Sequence, residues 1–123
     1  MKTWGRVNAI KKVIFIGLFL FIVAFSISAQ NMPSISIFNH TGYTIYYIYV
    51  SPSDSDTWGK DVLGDKVLYD GDVFTYQLQY PLSRVSVYDI ALEDEDGDPY
   101  YQWEIDVSKN TRIVFTFDDI DLD

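Results

Sequence analysis

Apolar side chains fall on every second residue through much of this chain: Phe74, Tyr76, Leu78 and Tyr80 alternate with Thr75, Gln77 and Gln79, and Tyr101, Trp103, Ile105 and Val107 alternate with Gln102, Glu104 and Asp106. A period of two belongs to a strand with one buried face, and no stretch beyond residue 30 carries the 3.6 period of an amphipathic helix. The core must therefore lie between sheets. Ile35 and Ile37 alternate with Ser34 and Ser36, residues 43–50 are almost all β-branched or aromatic, and residues 84–92 and 111–117 read the same way. Between Val87 and Tyr88 the apolar parity changes, which marks a bulge or a strand covered on both faces. Turn chemistry separates the runs at Asn39-His40-Thr41-Gly42, Asp70-Gly71 and Asp96-Gly97. Six strands, or seven if residues 66–69 pair, predict a single antiparallel β-sandwich. Its core should include Ile35, Ile37, Phe74, Tyr76, Leu78, Ile90, Leu92, Trp103, Ile105 and Phe115.

Residues 1–29 have a different character. Lys2, Arg6, Lys11 and Lys12 precede a wholly apolar run, Gly17 apart, from Val13 to Phe25, and the small residues Ser26, Ser28 and Ala29 follow. That order predicts a signal peptide cut beside Ala29, with residues 30–123 as the exported β-sandwich domain, periplasmic or extracellular. A spanning helix would need about 20 apolar residues. With no cysteine to carry an acyl chain, no stable membrane anchor is expected after cleavage. The export segment holds four of the nine basic residues and none of the 18 acidic ones, so the remaining domain carries a net charge of −13. Such a surface repels phosphate backbones and excludes nucleic acid as a partner. It attracts cations and basic surfaces.

Three segments carry a resemblance. The run Asn39-His40-Thr41-Gly42-Tyr43-Thr44-Ile45, the loop SPSDSDTWGKDVLG over residues 51–64, and Tyr88-Asp89-Ile90 followed by the turn DEDGDPY over residues 94–100 together resemble a group of small exported bacterial proteins of unknown function. The resemblance implies a β-sandwich behind a signal peptide. It implies no activity.

Glu93 to Asp98 holds five acidic residues in six, and Asp94, Asp96 and Asp98 make the candidate metal site. Calcium takes six to eight oxygen ligands from such clusters. The spacing departs from an EF-hand loop, in which glycine stands sixth and glutamate twelfth; counted from Asp94, Gly97 is fourth and Ile105 is twelfth. A calcium site here would need carboxylates from a second loop, with Asp54, Asp56, Asp70 and Asp72 as candidates. The bland alternative is a solvated Asp-Gly hairpin.

Aromatic residues supply the other candidate. Tyr43, Tyr46, Tyr47 and Tyr49 crowd one segment, and Trp58 sits in a polar loop, so Trp58 and Tyr46 are the candidate binding surface for a protein or carbohydrate partner. The competing reading places the rings in the core with hydroxyls reaching water. A lone His40 with no Gly-x-Ser-x-Gly element points to no nucleophilic hydrolase, and no catalytic residue is assigned. Asn39-His40-Thr41 also fits a glycosylation acceptor. The sequence thus reads as an exported, non-enzymatic binding or scaffold domain that calcium stabilises. The alternatives are a small secreted hydrolase working through loop aspartates, a subunit assembling through an edge strand, and an inhibitor presenting residues 51–64.

Overall fold

Two three-stranded sheets face each other across one core, in a computed structural model that describes residues 32–123. The expected signal peptide over residues 1–29 and its expected cut beside Ala29 lie outside the described residues. The strands are β1 (Ser34–His40), β2 (Ile45–Pro52), β3 (Val73–Gln77), β4 (Val87–Asp94), β5 (Pro99–Asp106) and β6 (Arg112–Thr116), followed by one 3-10 turn at Phe117–Asp119. Sheet order is β3-β1-β6 in one layer and β2-β4-β5 in the other. This is the expected all-β sandwich. The possible seventh strand shrinks to one bridge, Leu68 opposite Ile45.

The first layer contributes Ile35, Ile37, Ile113 and Phe115 to the core; the second contributes Ile45, Ile48, Tyr88, Ile90, Leu92 and Tyr100. Leu63, Leu68, Leu78 and Val107 close the ends from the loops. Phe74, Tyr76 and Ile105 pack against this cluster without full burial. Two expectations are corrected. The sandwich is not wholly antiparallel, because β1 and β6 run parallel, with Ile37 opposite Ile113. Strands joined by no hairpin carry no local turn signal that fixes their direction.

The second correction concerns Trp103, which is 58% exposed rather than in the core. Tyr88 pairs with Ile105 but Ile90 pairs with Gln102, so Trp103 and Glu104 together face the single residue Asp89. That is a β-bulge, and it splits one apparent alternation into two halves on opposite faces. Tyr101 and Trp103 point outward, whereas Ile105 and Val107 point inward. Glu104 takes φ 53°, the only positive φ among non-glycine residues described. A left-handed glutamate is uncommon, and its backbone N–H is held by donating to Asp89 Oδ1 at 2.8 Å.

The Asn-x-Thr-Gly turn is structural. Asn39 is fully buried, and its Nδ2 donates to the carbonyls of Tyr43 (2.8 Å) and Leu68 (2.9 Å). Its Oδ1 accepts from the Thr41 N–H (3.0 Å) and Oγ1 (2.7 Å). Gly42, at φ 91°, donates its N–H to Asp70 Oδ1. This network ties the β1–β2 turn to residues 68–72. An Nδ2 with both hydrogens spent in the interior is not presented as a glycosylation acceptor.

Candidate functional site

Across β2-β4-β5 the outward row runs Tyr49, Ala91, Tyr101, since Ala91 lies opposite both tyrosines. Residues directly opposite in an antiparallel pair share a face. Trp103 follows Tyr101 on that face, and Trp58 reaches over from the loop between β2 and β3. The three rings meet: Tyr101 and Trp103 are 5.1 Å apart between centroids, Trp58 and Trp103 5.6 Å, and Trp58 and Tyr101 6.1 Å. Their planes are inclined by 24° to 48°. Such offset contacts suit ring quadrupoles and hold the cluster together.

The loop that brings Trp58 here is pinned on both sides. Ser51 Oγ donates to the Thr57 carbonyl at 2.8 Å. Beyond Trp58, Asp61 accepts from the N–H groups of Ile48, Leu63 and Gly64, and the Val62 N–H donates to the Ile48 carbonyl. In the Trp-Gly segment, then, Asp61 and Leu63 fasten the loop along the β2 edge. Trp58 is left on the surface.

A cleft of about 110 Å³ opens beside the two indoles, lined also by Ser55, Asp56, Thr57 and Asp89. Asp89 Oδ1 accepts from Ser53 Oγ (2.7 Å) and from the bulged Glu104 N–H. Its Oδ2 takes no hydrogen bond from any described residue. Nearby, burial pushes the Tyr49 phenol above its ordinary pKa, with the Glu93 and Asp61 carboxylates adding to the shift. The face is thus aromatic and electronegative at once. A larger depression, of about 460 Å³, lies between Leu63 and the start of β3, but its wall of Leu68, Val67 and Val73 offers no exposed indole or tyrosine face.

At the C-terminal end of β4 the acidic turn joins β4 to β5. Gly97, at φ 84°, donates its N–H to the Asp94 carbonyl. Asp94 is buried and already accepts three hydrogen bonds, from the N–H groups of Asp96 (2.9 Å) and Asp98 (3.0 Å) and from the Tyr100 hydroxyl (2.8 Å). The Tyr100 phenol is pushed well above its ordinary pKa, first by burial and then by the bond to Asp94 and its charge; the Thr41 hydroxyl opposes this. Through Tyr100 the acidic turn and the Asn-x-Thr-Gly turn meet at one end of the sandwich.

Carboxylate oxygens of Asp94, Asp96 and Asp98 lie within 4.8 Å of one another, a group that can hold a metal ion. The donors are all hard oxygens, which suit calcium rather than zinc. No other acidic side chain among the described residues joins the group. Asp70 instead binds Gly42, Asp56 lines the aromatic cleft, and Asp72 lies beside the larger depression.

Of the two candidate binding residues, the structure brings Trp58 into the cluster. Tyr46 is 45% exposed and enters none of the ring contacts among the described residues. Sequence reasoning missed Tyr101 and Trp103 because their alternation looked like core. Glu104 beside Asp89 carried no sequence signal for the bulge. No protein-family profile, no characterised protein and no solved structure matches this chain.

Proposed function

We propose that this chain is an exported, non-enzymatic domain that binds an oligosaccharide on the outer face of β2-β4-β5. The observation that carries this reading is the bulge at Glu104, which spends a strained backbone residue to turn Trp103 outward against Trp58 and Tyr101. Strain held at a surface aromatic group points to use. A pyranose offers an apolar C–H face to an indole and hydroxyl groups to the carboxylates and hydroxyls beside it. The test is calorimetric titration of residues 30–123 with β-1,4-linked tetrasaccharides of glucose, glucosamine and N-acetylglucosamine. Saturable binding of at least one supports the reading. Binding of none rejects it, and release of reducing ends would move the protein to the hydrolase alternative.

Export rests on residues 1–29 and on the resemblance carried by the three motifs. N-terminal sequencing of the protein recovered outside the cytoplasm should begin at Ala29 or Gln30. A chain still beginning at Met1 would contradict it.

A second reading, calcium at the acidic turn, is favoured by the grouped oxygens of Asp94, Asp96 and Asp98. Calcium bound to the folded state alone stabilises it by about 2.7 kcal/mol at a hundredfold excess over Kd. Weak extracellular sites have Kd values on the order of 10⁻⁴ to 10⁻³ M, so melting is followed in tens of millimolar calcium, with equal magnesium as the control. Asp96→Asn is the informative variant, because Asp96 is exposed and its carboxylate makes no hydrogen bond within the described fold, whereas Asp94 makes three. A calcium-specific rise that Asp96→Asn abolishes supports the site. A rise equal in magnesium, or unchanged in the variant, leaves only a hairpin.

A further inference from the structure

We infer that the oligosaccharide taken by the Trp58–Trp103 cleft is a cationic amino glycan, one whose sugar rings carry protonated amines. This rests on the oligosaccharide reading above and names its chemical class. The cleft combines two features that a neutral sugar does not require together. Two indoles line it, and so do two carboxylates, Asp56 and Asp89. No lysine or arginine lines it.

Neither carboxylate is matched by a cation of the protein's own. Among the described residues the only ion pair is Lys109 with Asp106, at 3.9 Å. The two arginines among the described residues instead sit over rings, Arg84 over Tyr80 at 5.0 Å and Arg112 over Phe38 at 4.0 Å. Asp89 keeps Oδ2 unbonded within the described fold while Oδ1 holds Ser53 and Glu104. The bulge therefore fixes the orientation of the carboxylate and leaves one oxygen for a donor in the cleft. Asp56, exposed at the rim, supplies a second negative charge without a structural hydrogen bond of its own.

A pyranose ring laid on the indoles brings its C2 substituent near the carboxylates. An ammonium there donates to Asp89 Oδ2, gains from the Asp56 charge, and is attracted by the negative faces of the tryptophans. A carboxylated sugar would be repelled by the same groups. The charge of the whole domain, strongly negative once residues 1–29 are gone, favours the same class over a distance set by the ionic strength.

Three β-1,4-linked tetrasaccharides that differ only at C2 separate the possibilities: glucosamine carries an ammonium, N-acetylglucosamine an acetamide and glucose a hydroxyl. The titrations are run at about pH 6, below the amine's ordinary range, and at low salt. Glucosamine tetramer should bind about tenfold more tightly than either neutral chain, as one charge-assisted hydrogen bond implies. Asp56→Asn and Asp89→Asn should each remove most of that advantage. Asp65→Asn, which removes the same charge from an exposed position outside the cleft, should leave it in place. Equal binding of all three, or tighter binding of a neutral chain, overturns the cationic class while the oligosaccharide reading stands. Binding of none overturns both. Glucosamine binding that Trp103→Ala leaves intact, or that Asp65→Asn weakens as much as Asp89→Asn, shows attraction to the acidic surface alone and overturns the assignment to this cleft. Asp56→Asn keeps the test valid if Asp89→Asn disturbs the bulge.

Discussion

Asn39→Ala should cost about 4 kcal/mol of folding stability. The substitution strips the carbonyls of Tyr43 and Leu68 and the N–H of Thr41 of their side-chain partner. Four hydrogen bonds go with it, each worth about 1 kcal/mol net, and the Thr41 N–H is left with no other partner in the described fold. Thr41 Oγ1 still donates to the Tyr43 carbonyl at 3.2 Å and the Ile45 N–H to the Leu68 carbonyl at 2.8 Å, so both carbonyls keep a partner, which offsets part of the loss. For a domain whose whole stability is expected to be about 5–15 kcal/mol, the remainder is large. At about 4–8 °C per kcal/mol for a domain of this size, the melting temperature should fall by roughly 20 °C or more. His40→Ala, in the neighbouring exposed position, should change it by under about 0.5 kcal/mol. Urea denaturation of the three proteins checks both values. A loss below about 1 kcal/mol in Asn39→Ala would mean that the network does not hold the β1–β2 turn.

Trp103→Ala should do the reverse, costing the fold less while removing binding. More than half of the Trp103 surface is already in water, so its truncation forfeits only part of a full ring's burial, about 2 kcal/mol. A central aromatic contact in a ligand site is worth about 2 kcal/mol or more, equivalent to a loss of about 30-fold in affinity. Trp58→Ala should weaken the same ligand comparably. Tyr101→Phe keeps the stack and should change binding less than either. Loss of binding in step with loss of stability would return Trp103 to a structural role.

The contrast between these two variants follows how the chain can be read. Asn39 looks like a surface turn residue in sequence, because asparagine is common where the chain must reverse. Its burial depends on Leu68, 29 residues away, whose carbonyl it satisfies. Trp103 looks like a core residue, since it continues the alternation from Tyr101 to Val107. A bulge one residue long reversed that inference, and the partner that holds it, Asp89, lies on another strand. Local pattern reports the period of a strand but not a shift in register against its neighbour.

Other parts were legible because the deciding physics is local. Ile35, Ile37, Leu78, Ile90, Leu92 and Phe115 are buried as their alternation predicts. Asp96-Gly97 marked its hairpin, with Gly97 in the left-handed region that the turn demands. The parity change at Val87 and Tyr88 suggested a bulge in β4 itself, but the extra residue lies in β5, where Trp103 and Glu104 face Asp89. Trp58 stood out because a large apolar ring in a polar loop has no strand period to explain it. Its neighbours on the site did not stand out, because Tyr101, Trp103 and Asp89 come together only across β4 and β5. The acidic turn drew attention to Asp94 as a ligand, whereas much of that carboxylate serves Tyr100 and the turn's own backbone.

Trp58 and Trp103 are the only tryptophans beyond residue 29, so every indole of residues 30–123 lies at the proposed site. The direct measurement is therefore the pair of indole N–H resonances of residues 30–123, followed by two-dimensional NMR during titration with glucosamine tetrasaccharide. The account predicts that both indole signals shift along one saturable isotherm, together with the amides of Thr57 and Glu104, while those of Asn39 and Ile113 stay in place. Saturation without movement of either indole signal, or shifts centred on the acidic turn instead, would contradict it.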